Sequence, residues 1–339
     1  MPTLSDVAAE AGVTPMTVSN VLNGRTTQVS AATAERVMEA VHRLGYVTNA
    51  SARALSAKES KIIALVFKAA LPGTVALENP HDSVFLGEVE RCVSEAGRYL
   101  MVRSAEDLLA SAASLRSWNV DGAIFLGTVA EEVDDLLKHH NVPLVFTDNY
   151  SVSPLVSNVG VDDRLGGHLA AEHLIKAGHR RVAFVSSGLP GNGVGAQRHR
   201  GFVEALAAHG LALDPLETFE CDLSFDAAVA LGERLADPRA PRTAIFAPAD
   251  LLAIGLIKGL ARGGMSVPDD VSIIGFDDLP VSRQTSPELT TIHQDIPAKA
   301  RAAVEMTLRL IAAGTEAPPE RLTLSVSIAE RETVARPRS

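Results

Sequence analysis

Apolar positions in the first sixty residues recur at helical spacing in three short blocks. Leu4, Val7, Ala8 and Ala11 share one face of a first helix, and Val18, Val21 and Leu22 carry the stripe onto a second. Between them Gly12 can take a positive φ and end the first helix. Thr14 offers an N-cap oxygen, and Pro15 stands at the first helical position, where its missing N–H costs nothing. Two helices this short around a tight turn, with small Ala8 letting them cross closely, form a helix-turn-helix pattern, whose second helix enters the DNA major groove. An ordinary αα-hairpin shares the same spacing. A third helix follows, capped by Ser30, with Val37, Ala40, Val41 and Leu44 on one face and Gly45 at its C-terminal end. The Ala- and Ser-rich residues 48–58 make about two helical turns, too few to be stable alone, and so predict a conditionally ordered hinge or linker.

From Lys61 the texture becomes an alternation of buried strand and amphipathic helix. Strands are predicted over Ile62–Phe67, Tyr99–Arg103, Gly122–Leu126, Pro143–Thr147 and Ser157–Val159, with helices at Phe85–Gly97, Asp107–Ser117 and Glu131–His140 between them. A second series begins with the helix Arg164–Gly178. It continues through strands at Arg181–Ser186, Phe219–Cys221, Ala244–Ala247 and Ser272–Phe276, separated by helices at Ala196–Gly210, Ser224–Ala236 and Asp250–Arg262. A strand at Thr290–His293, a helix at Lys299–Ala312 and a strand region at Arg321–Ile328 close the chain. Alternation of this kind predicts two α/β units, each with a parallel sheet.

Composition adds three constraints. At 339 residues and 46% hydrophobic the chain can bury more than one core. It has no apolar run of about 18 residues for a membrane span, and its N-terminus lacks the basic and apolar regions of a signal peptide, so a cytoplasmic, non-membrane protein is expected. Cys92 and Cys221 lie far apart in apolar or strand-like surroundings and are expected as free thiols. The net charge of −10 argues against a nucleic-acid partner, because phosphate binding is carried mostly by Lys and Arg. Its distribution softens that objection: residues 1–60 hold five basic and five acidic residues, and the whole deficit lies beyond them. A neutral head holds DNA weakly as a single copy, which predicts a dimer presenting two.

Separated motifs then agree on a family. The segments Leu4–Ala8, Thr17–Ser19, Val29–Thr33, Leu44–Tyr46 with Asn49, and Ala52–Leu55 resemble the DNA-binding head and hinge of the lactose-repressor/galactose-repressor (LacI/GalR) family of bacterial transcription factors. Asp162 with Gly166, Gly178–Phe184, Arg198–Phe202, Val267–Asp278 and Leu289–Ile292 resemble its sensor core. The resemblance implies a helix-turn-helix domain (1–47), a hinge (48–60) and an effector-binding, dimerising core (61–339) of the periplasmic-binding-protein type I fold. Such a core is two doubly wound parallel-sheet α/β subdomains, here about 61–160 with 292–320, and about 162–290 with 321–339. Three crossovers would fall near Val161, Thr290–Gln294 and Arg321. No cofactor is implied. The implied partners are operator DNA, a small polar effector such as a sugar, and further copies of the chain, as a homodimer or a tetramer.

The same resemblance assigns base contacts to Pro15, Met16 and Asn20 and phosphate contacts to Thr17, Ser19 and Asn23, with Thr14 capping the helix and Asn49, Ala52 and Arg53 in the hinge region. Asn can bond adenine through two hydrogen bonds, and Met offers apolar contact, for instance to a thymine methyl. Many relatives carry Arg where Asn20 stands, so the usual guanine reader is missing. Leu55 resembles the hinge leucine that wedges into the central minor-groove step. In the core, Asp148, Arg198 and Asp277 match residues that the family points at its effector: two acceptors for hydroxyls and one planar donor. The alternative for Arg198 is a structural ion pair. Ala249 stands where many members have Asn, before Asp250, and Phe85 is a candidate to stack on a ligand ring or to join the core.

Two other readings fit less well. Gly191–Ala196 has the spacing of a dinucleotide fingerprint, but Ser186–Pro190 separate its glycines from the preceding strand, so NAD-type enzyme chemistry is not expected. His168 and His173 with Glu172 diverge around one helix and do not suit a metal. A solute-binding protein would share the core but has no use for a helix-turn-helix head.

Overall fold

The computed structural model describes residues 2–25, 29–47, 59–68, 76–138, 140, 142–186, 188–189, 191–240, 242–314 and 317–338. The hinge residues 48–58, with Asn49, Ala52, Arg53 and Leu55, lie outside them. Met1–Ser60 and Lys61–Ser339 are separate compact units.

In the first unit, α1 (Leu4–Ala11), α2 (Pro15–Leu22) and α3 (Ala31–Leu44) enclose one small core. Val7, Ala8, Val18, Val21, Val37 and Ala40 are its buried centre. Local chemistry fixes each end. Thr3 and Asp6 form a reciprocal capping box, the Thr14 hydroxyl accepts the Thr17 N–H at 3.2 Å, and Gly12 ends α1 in the left-handed region at φ 63°. Three N–H groups, those of Thr3, Asp6 and Thr17, are thereby satisfied at the helix starts and the chain turns within three residues.

The second unit has two six-stranded sheets. The strands are β1 (Ile62–Lys68), β2 (Tyr99–Ala105), β3 (Gly122–Leu126), β4 (Leu144–Thr147), β5 (Ser157–Val161), β6 (Val182–Ser186), β7 (Thr218–Glu220), β8 (Ala244–Phe246), β9 (Ser272–Asp277), β10 (Thr291–Gln294), β11 (Arg321–Leu324) and β12 (Val326–Ala329). The helices are α4 (Pro80–Glu95), α5 (Leu108–Ser117), α6 (Ala130–Lys138), α7 (Asp163–Lys176), α8 (Val194–Ala208), α9 (Phe225–Leu235), α10 (Asp250–Arg262) and α11 (Ile296–Ala313). The strand orders are β11-β5-β4-β3-β1-β2 and β12-β10-β9-β8-β6-β7. Among the described residues the strands pair in parallel except β10 with β12. Continuous apolar runs such as Ile63–Val66 and Ile273–Ile274 are fully buried because helices cover both faces of each sheet.

The chain crosses between the sheets three times, and two crossings differ from expectation. The first falls at Asp162, between β5 and α7. The second falls at Asp295: residues 291–294 belong to the second sheet, and only from Ile296 does the chain return, as α11, to pack on Ile63, Ile124 and Val145 of the first. The third falls at Ser325, not near Arg321, because Arg321–Leu324 pairs in parallel with Asn158–Val161 and completes the first sheet. Only Val326–Ala329 reaches the second sheet, antiparallel to β10. The stretch from Arg321 to Ala329 alternates without a break in pattern, so the switch of sheet left no hydrophobic signal.

Candidate functional site

On α2, Val18 and Val21 turn into the head's core and leave the opposite face to solvent. Met16 is 70% exposed there, with Thr14, Pro15 and Asn23 also exposed and Thr17, Ser19 and Asn20 half-buried. The Thr14 and Thr17 hydroxyls are 3.0 Å apart, and Asn23 Nδ2 donates to Ser19 Oγ at 3.2 Å. Met16 and Asn20, four residues apart, share one ridge of the exposed face. That face carries no charge between Thr14 and Asn23, so whatever it reads it reads through amide, hydroxyl and apolar contact.

In the second unit the polar residues gather where the strands of both sheets end. Asp148 follows β4, Asp277 closes β9 and Gln294 closes β10, while Asp163, Asp250 and Lys299 stand in the first turns of α7, α10 and α11. Parallel α/β sheets put their clefts at these strand ends, next to the positive ends of the following helices. Backbone strain collects there too: Asp148, Asp277 and Asp278 have φ of 49°, 120° and 55°. A non-glycine residue in that region is held by its surroundings, and such positions concentrate at sites.

The contacts form one continuous chain. The Lys299 ammonium is fully buried; it donates to Asp148 Oδ2 at 2.6 Å and to Gln294 Oε1 at 2.8 Å, and lies 3.3 Å from His81 Nε2. Gln294 Nε2 donates to Asp277 Oδ1 at 2.6 Å, and the same oxygen is 3.9 Å from Arg198 Nη1. Arg198 donates through Nε to Asp163 Oδ1 at 2.7 Å and through Nη1 to the Pro248 carbonyl at 2.6 Å, with Cζ 3.4 Å over the Phe276 ring. The Tyr150 hydroxyl donates to the other Asp163 oxygen at 2.5 Å. Helix packing makes the Arg198–Asp163 contact possible. A Cβ on Gly167 would sit 1.9 Å from the Arg198 carbonyl oxygen, and one on Gly201 would sit 1.8 Å from that of Arg164, so α7 and α8 approach backbone to backbone.

Burial and pairing divide the carboxylates. Burial opposes ionisation of Asp148, yet the charge of Lys299 and its hydrogen bond outweigh it and hold the carboxyl below its ordinary range. For Asp163 burial wins over the charge of Arg198 and the group is pushed up. The Tyr150 phenol is raised by burial and then by the neighbouring Asp163 charge, so its proton stays in place to be donated.

Of the residues expected to meet an effector, Asp148, Arg198 and Asp277 converge, and two are corrected. Phe85 is fully buried in the first subdomain's core among Ile63, Leu65 and Ile296, with no ring face left for a ligand. Asp250 is also fully buried: it accepts the Leu279 N–H at 2.8 Å and the Ser282 and Thr291 hydroxyls at 2.6 and 2.5 Å, so it fixes the turn after β9 and has no acceptor to spare. Ala249 is buried and opens α10 without a side-chain cap. Arg198 realises the structural ion pair weighed above while keeping its place beside Asp277. Tyr150, Asp163, Gln294 and Lys299 escaped notice, although two had a signal. Lys299 is a lone charge on the buried stripe Ile296, Ala300, Ala303 and Val304, and Asp163 is the surplus member of an Asp-Asp pair in which Asp162 already caps α7.

Residues 3–49 match the model of bacterial regulatory proteins of the lacI family, and residues 171–334 that of the periplasmic binding protein-like domain. The HTH-type transcriptional regulator CelR of Thermobifida fusca is 33% identical over 342 residues, covering 98% of each chain. The chain belongs to the lacI family of bacterial regulatory proteins. Within it, Catabolite control protein A of Priestia megaterium is 32% identical over 86% of this chain and 87% of that protein. Among solved structures, a complex of the transcriptional regulator CelR with cellobiose covers 98% of this chain and 100% of that one, at 30% identity and a TM-score of 0.73. A Lac repressor dimer bound to operator and the anti-inducer ONPF is 26% identical, covering 98% and 99%, with a TM-score of 0.85. The lacI-family core is the two-sheet unit described above, and its head is the three-helix unit.

Proposed function

We propose that this lacI-family regulator acts as a repressor whose operator affinity is set by a small polar metabolite, a sugar, held between the two subdomains by Arg198, Asp277 and Asp148. The observation that carries this reading is the convergence of those three side chains, two of them on strained backbone, at the ends of strands from both sheets. Two carboxylates and a guanidinium suit hydroxyl groups, which donate and accept together. The cellobiose bound by CelR is a sugar of that chemistry.

On the DNA side, Pro15, Met16 and Asn20 read base edges while Thr17, Ser19 and Asn23 bond phosphates, the hinge-region residues Asn49, Ala52 and Arg53 contact the DNA, and Leu55 wedges into the minor groove. The chain works in the cytoplasm as a homodimer, since a neutral head needs a second copy for useful affinity. An apolar groove of about 540 Å³ is suited to a second copy: Leu77 and Val84 of the first subdomain line it together with Leu251, Ile254, Pro280 and Val281 of the second. No helix among the described residues is long and apolar enough to cross a membrane. The test pairs selection of bound duplexes from a random pool with a thermal-shift panel of sugars on the full chain. A two-fold symmetric enriched site together with a stabilising sugar is expected; enrichment of no sequence, or stabilisation by none of the sugars, would refute the corresponding half.

A further inference from the structure

The polar chain of the cleft closes on itself. From Asp148 it runs through Lys299, Gln294, Asp277, Arg198 and Asp163 to Tyr150, which lies two residues from Asp148 on the same loop. It crosses the subdomain boundary twice. At one crossing Gln294, the last residue of β10 in the second sheet, accepts from Lys299 of α11 on the first while donating to Asp277. At the other, Tyr150 reaches from the loop after β4 to Asp163 of α7, and its carbonyl accepts from Asn192 Nδ2 at 3.1 Å, so the second subdomain holds that residue at both ends.

The partners of these crossings also hold the atoms an effector would use. Asp148 Oδ2 is taken by Lys299 and Oδ1 by the Val161 N–H at 3.1 Å; Asp277 Oδ1 is taken by Gln294; Arg198 Nε and Nη1 are taken by Asp163 and Pro248. We infer that Tyr150 and Gln294 are the two points of a clasp that holds the subdomains in the relative orientation described here, and that they are positioning residues for Arg198 and Asp148. A ligand that bonds Asp148 competes for Lys299, and one that bonds Arg198 competes for Asp163, and each of those partners also makes one of the two crossings. The binding site and the subdomain orientation are thereby linked through shared partner residues, which supply the differential interaction that any ligand-driven shift requires. Both crossings are internal hydrogen bonds, so neither alone is strong; together they must fail at once for the subdomains to part.

The clasp is tested on the chain without an effector, so its failure would leave the effector reading of the cleft standing. Hydrogen exchange is followed by mass spectrometry on full-length wild type, Tyr150→Phe, Gln294→Leu and the double variant, with thermal unfolding as the control for folding. Both substitutions leave the Lys299–Asp148 and Arg198–Asp163 pairs intact. Each single variant is expected to speed exchange by about two- to tenfold in the segments around Asp148–Ser153 and Gly193–Arg198, the worth of one buried hydrogen bond. The double variant is expected to reach about the product of the two, as two contacts broken in one opening require. Should Gln294→Leu misfold, Gln294→Met removes the same two hydrogen bonds in a side chain of similar length, and the same acceleration is expected. Unchanged exchange in the single variants, or a double variant no faster than the faster single one, would overturn the clasp.

Discussion

Lys299 Nζ stands 2.6 Å from Asp148 Oδ2, a cation with 1% of its side chain exposed against a carboxylate with 10%. The pair is the only charge compensation Asp148 receives within hydrogen-bonding distance among the described residues, its other oxygen being held by a backbone N–H. Breaking a buried pair by removing one partner costs about 3–5 kcal/mol, because the other charge is left in low dielectric. Lys299→Met should therefore lower the unfolding midpoint of the second unit by roughly 10 °C, judged from size scaling. Adding Asp148→Asn to it should recover most of the loss. Scanning calorimetry of the three proteins checks both, and a double variant as unstable as the single one would show that Lys299 matters for packing alone.

Asp250 gives a pH dependence with a definite sign. Burial first, and then the nearby Asp277 charge, push its carboxyl up to about 7, against hydrogen bonds from Ser282 and Thr291 that pull it down. A folded-state value above the unfolded one means the folded state prefers the protonated form. The stability is full below the unfolded value near 4 and is lost as pH rises through about 7. Asp250→Asn keeps a neutral acceptor in place, so its unfolding midpoint should fall less than that of wild type between pH 5 and pH 8. Parallel curves for the two proteins would place the titration elsewhere.

Gly167 offers a steric test. Its missing Cβ would lie 1.9 Å from the Arg198 carbonyl oxygen, a backbone atom that cannot turn aside, so Gly167→Ala must push α8 off α7. A loss of about 3 kcal/mol or more is expected from such overpacking, with a weaker effector response in whatever remains folded. A fully stable, fully responsive variant would mean that the two helices are free to shift.

How far the sequence carried can be seen residue by residue. The head was legible because its signals are local: Thr14, Pro15 and Gly12 act within one turn of where they stand. Strand and helix alternation was legible for the same reason, and Asp148, Arg198 and Asp277 could be named by resemblance. What sequence could not show was pairing across long separations. Lys299 finds Asp148 across 151 positions and Asp250 finds Thr291 across 41, and neither spacing leaves a periodic trace. Phe85 took the core alternative and Asp250 turned away from the cleft for one reason: helix starts near strand ends are where cleft residues gather, but the position does not say whether a side chain turns toward the opening or beneath it.

On the head, Asn20 and Met16 should divide base recognition between them. Asn20→Ala is expected to weaken binding to the selected site by about 1–3 kcal/mol and relax the preference at one base pair, and Asn20→Arg to move that preference toward guanine. Met16→Ala should relax a neighbouring thymine. Competition assays with single-base variants of the selected duplex read these shifts, and losses spread evenly over all positions would reassign both side chains to the phosphate backbone.

The central claim is that a ligand in the cleft governs the affinity of the head for DNA. The most direct test is a titration of the full chain onto its selected duplex, with and without the sugar that most raises its unfolding midpoint, for wild type and Arg198→Ala. Wild type should change its DNA affinity when the sugar is added. Arg198→Ala should bind the duplex within about twofold of wild type, because a side chain in the other compact unit makes no base contact, and should ignore the sugar. A sugar response that survives in Arg198→Ala, or a wild-type affinity indifferent to every stabilising ligand, would contradict it.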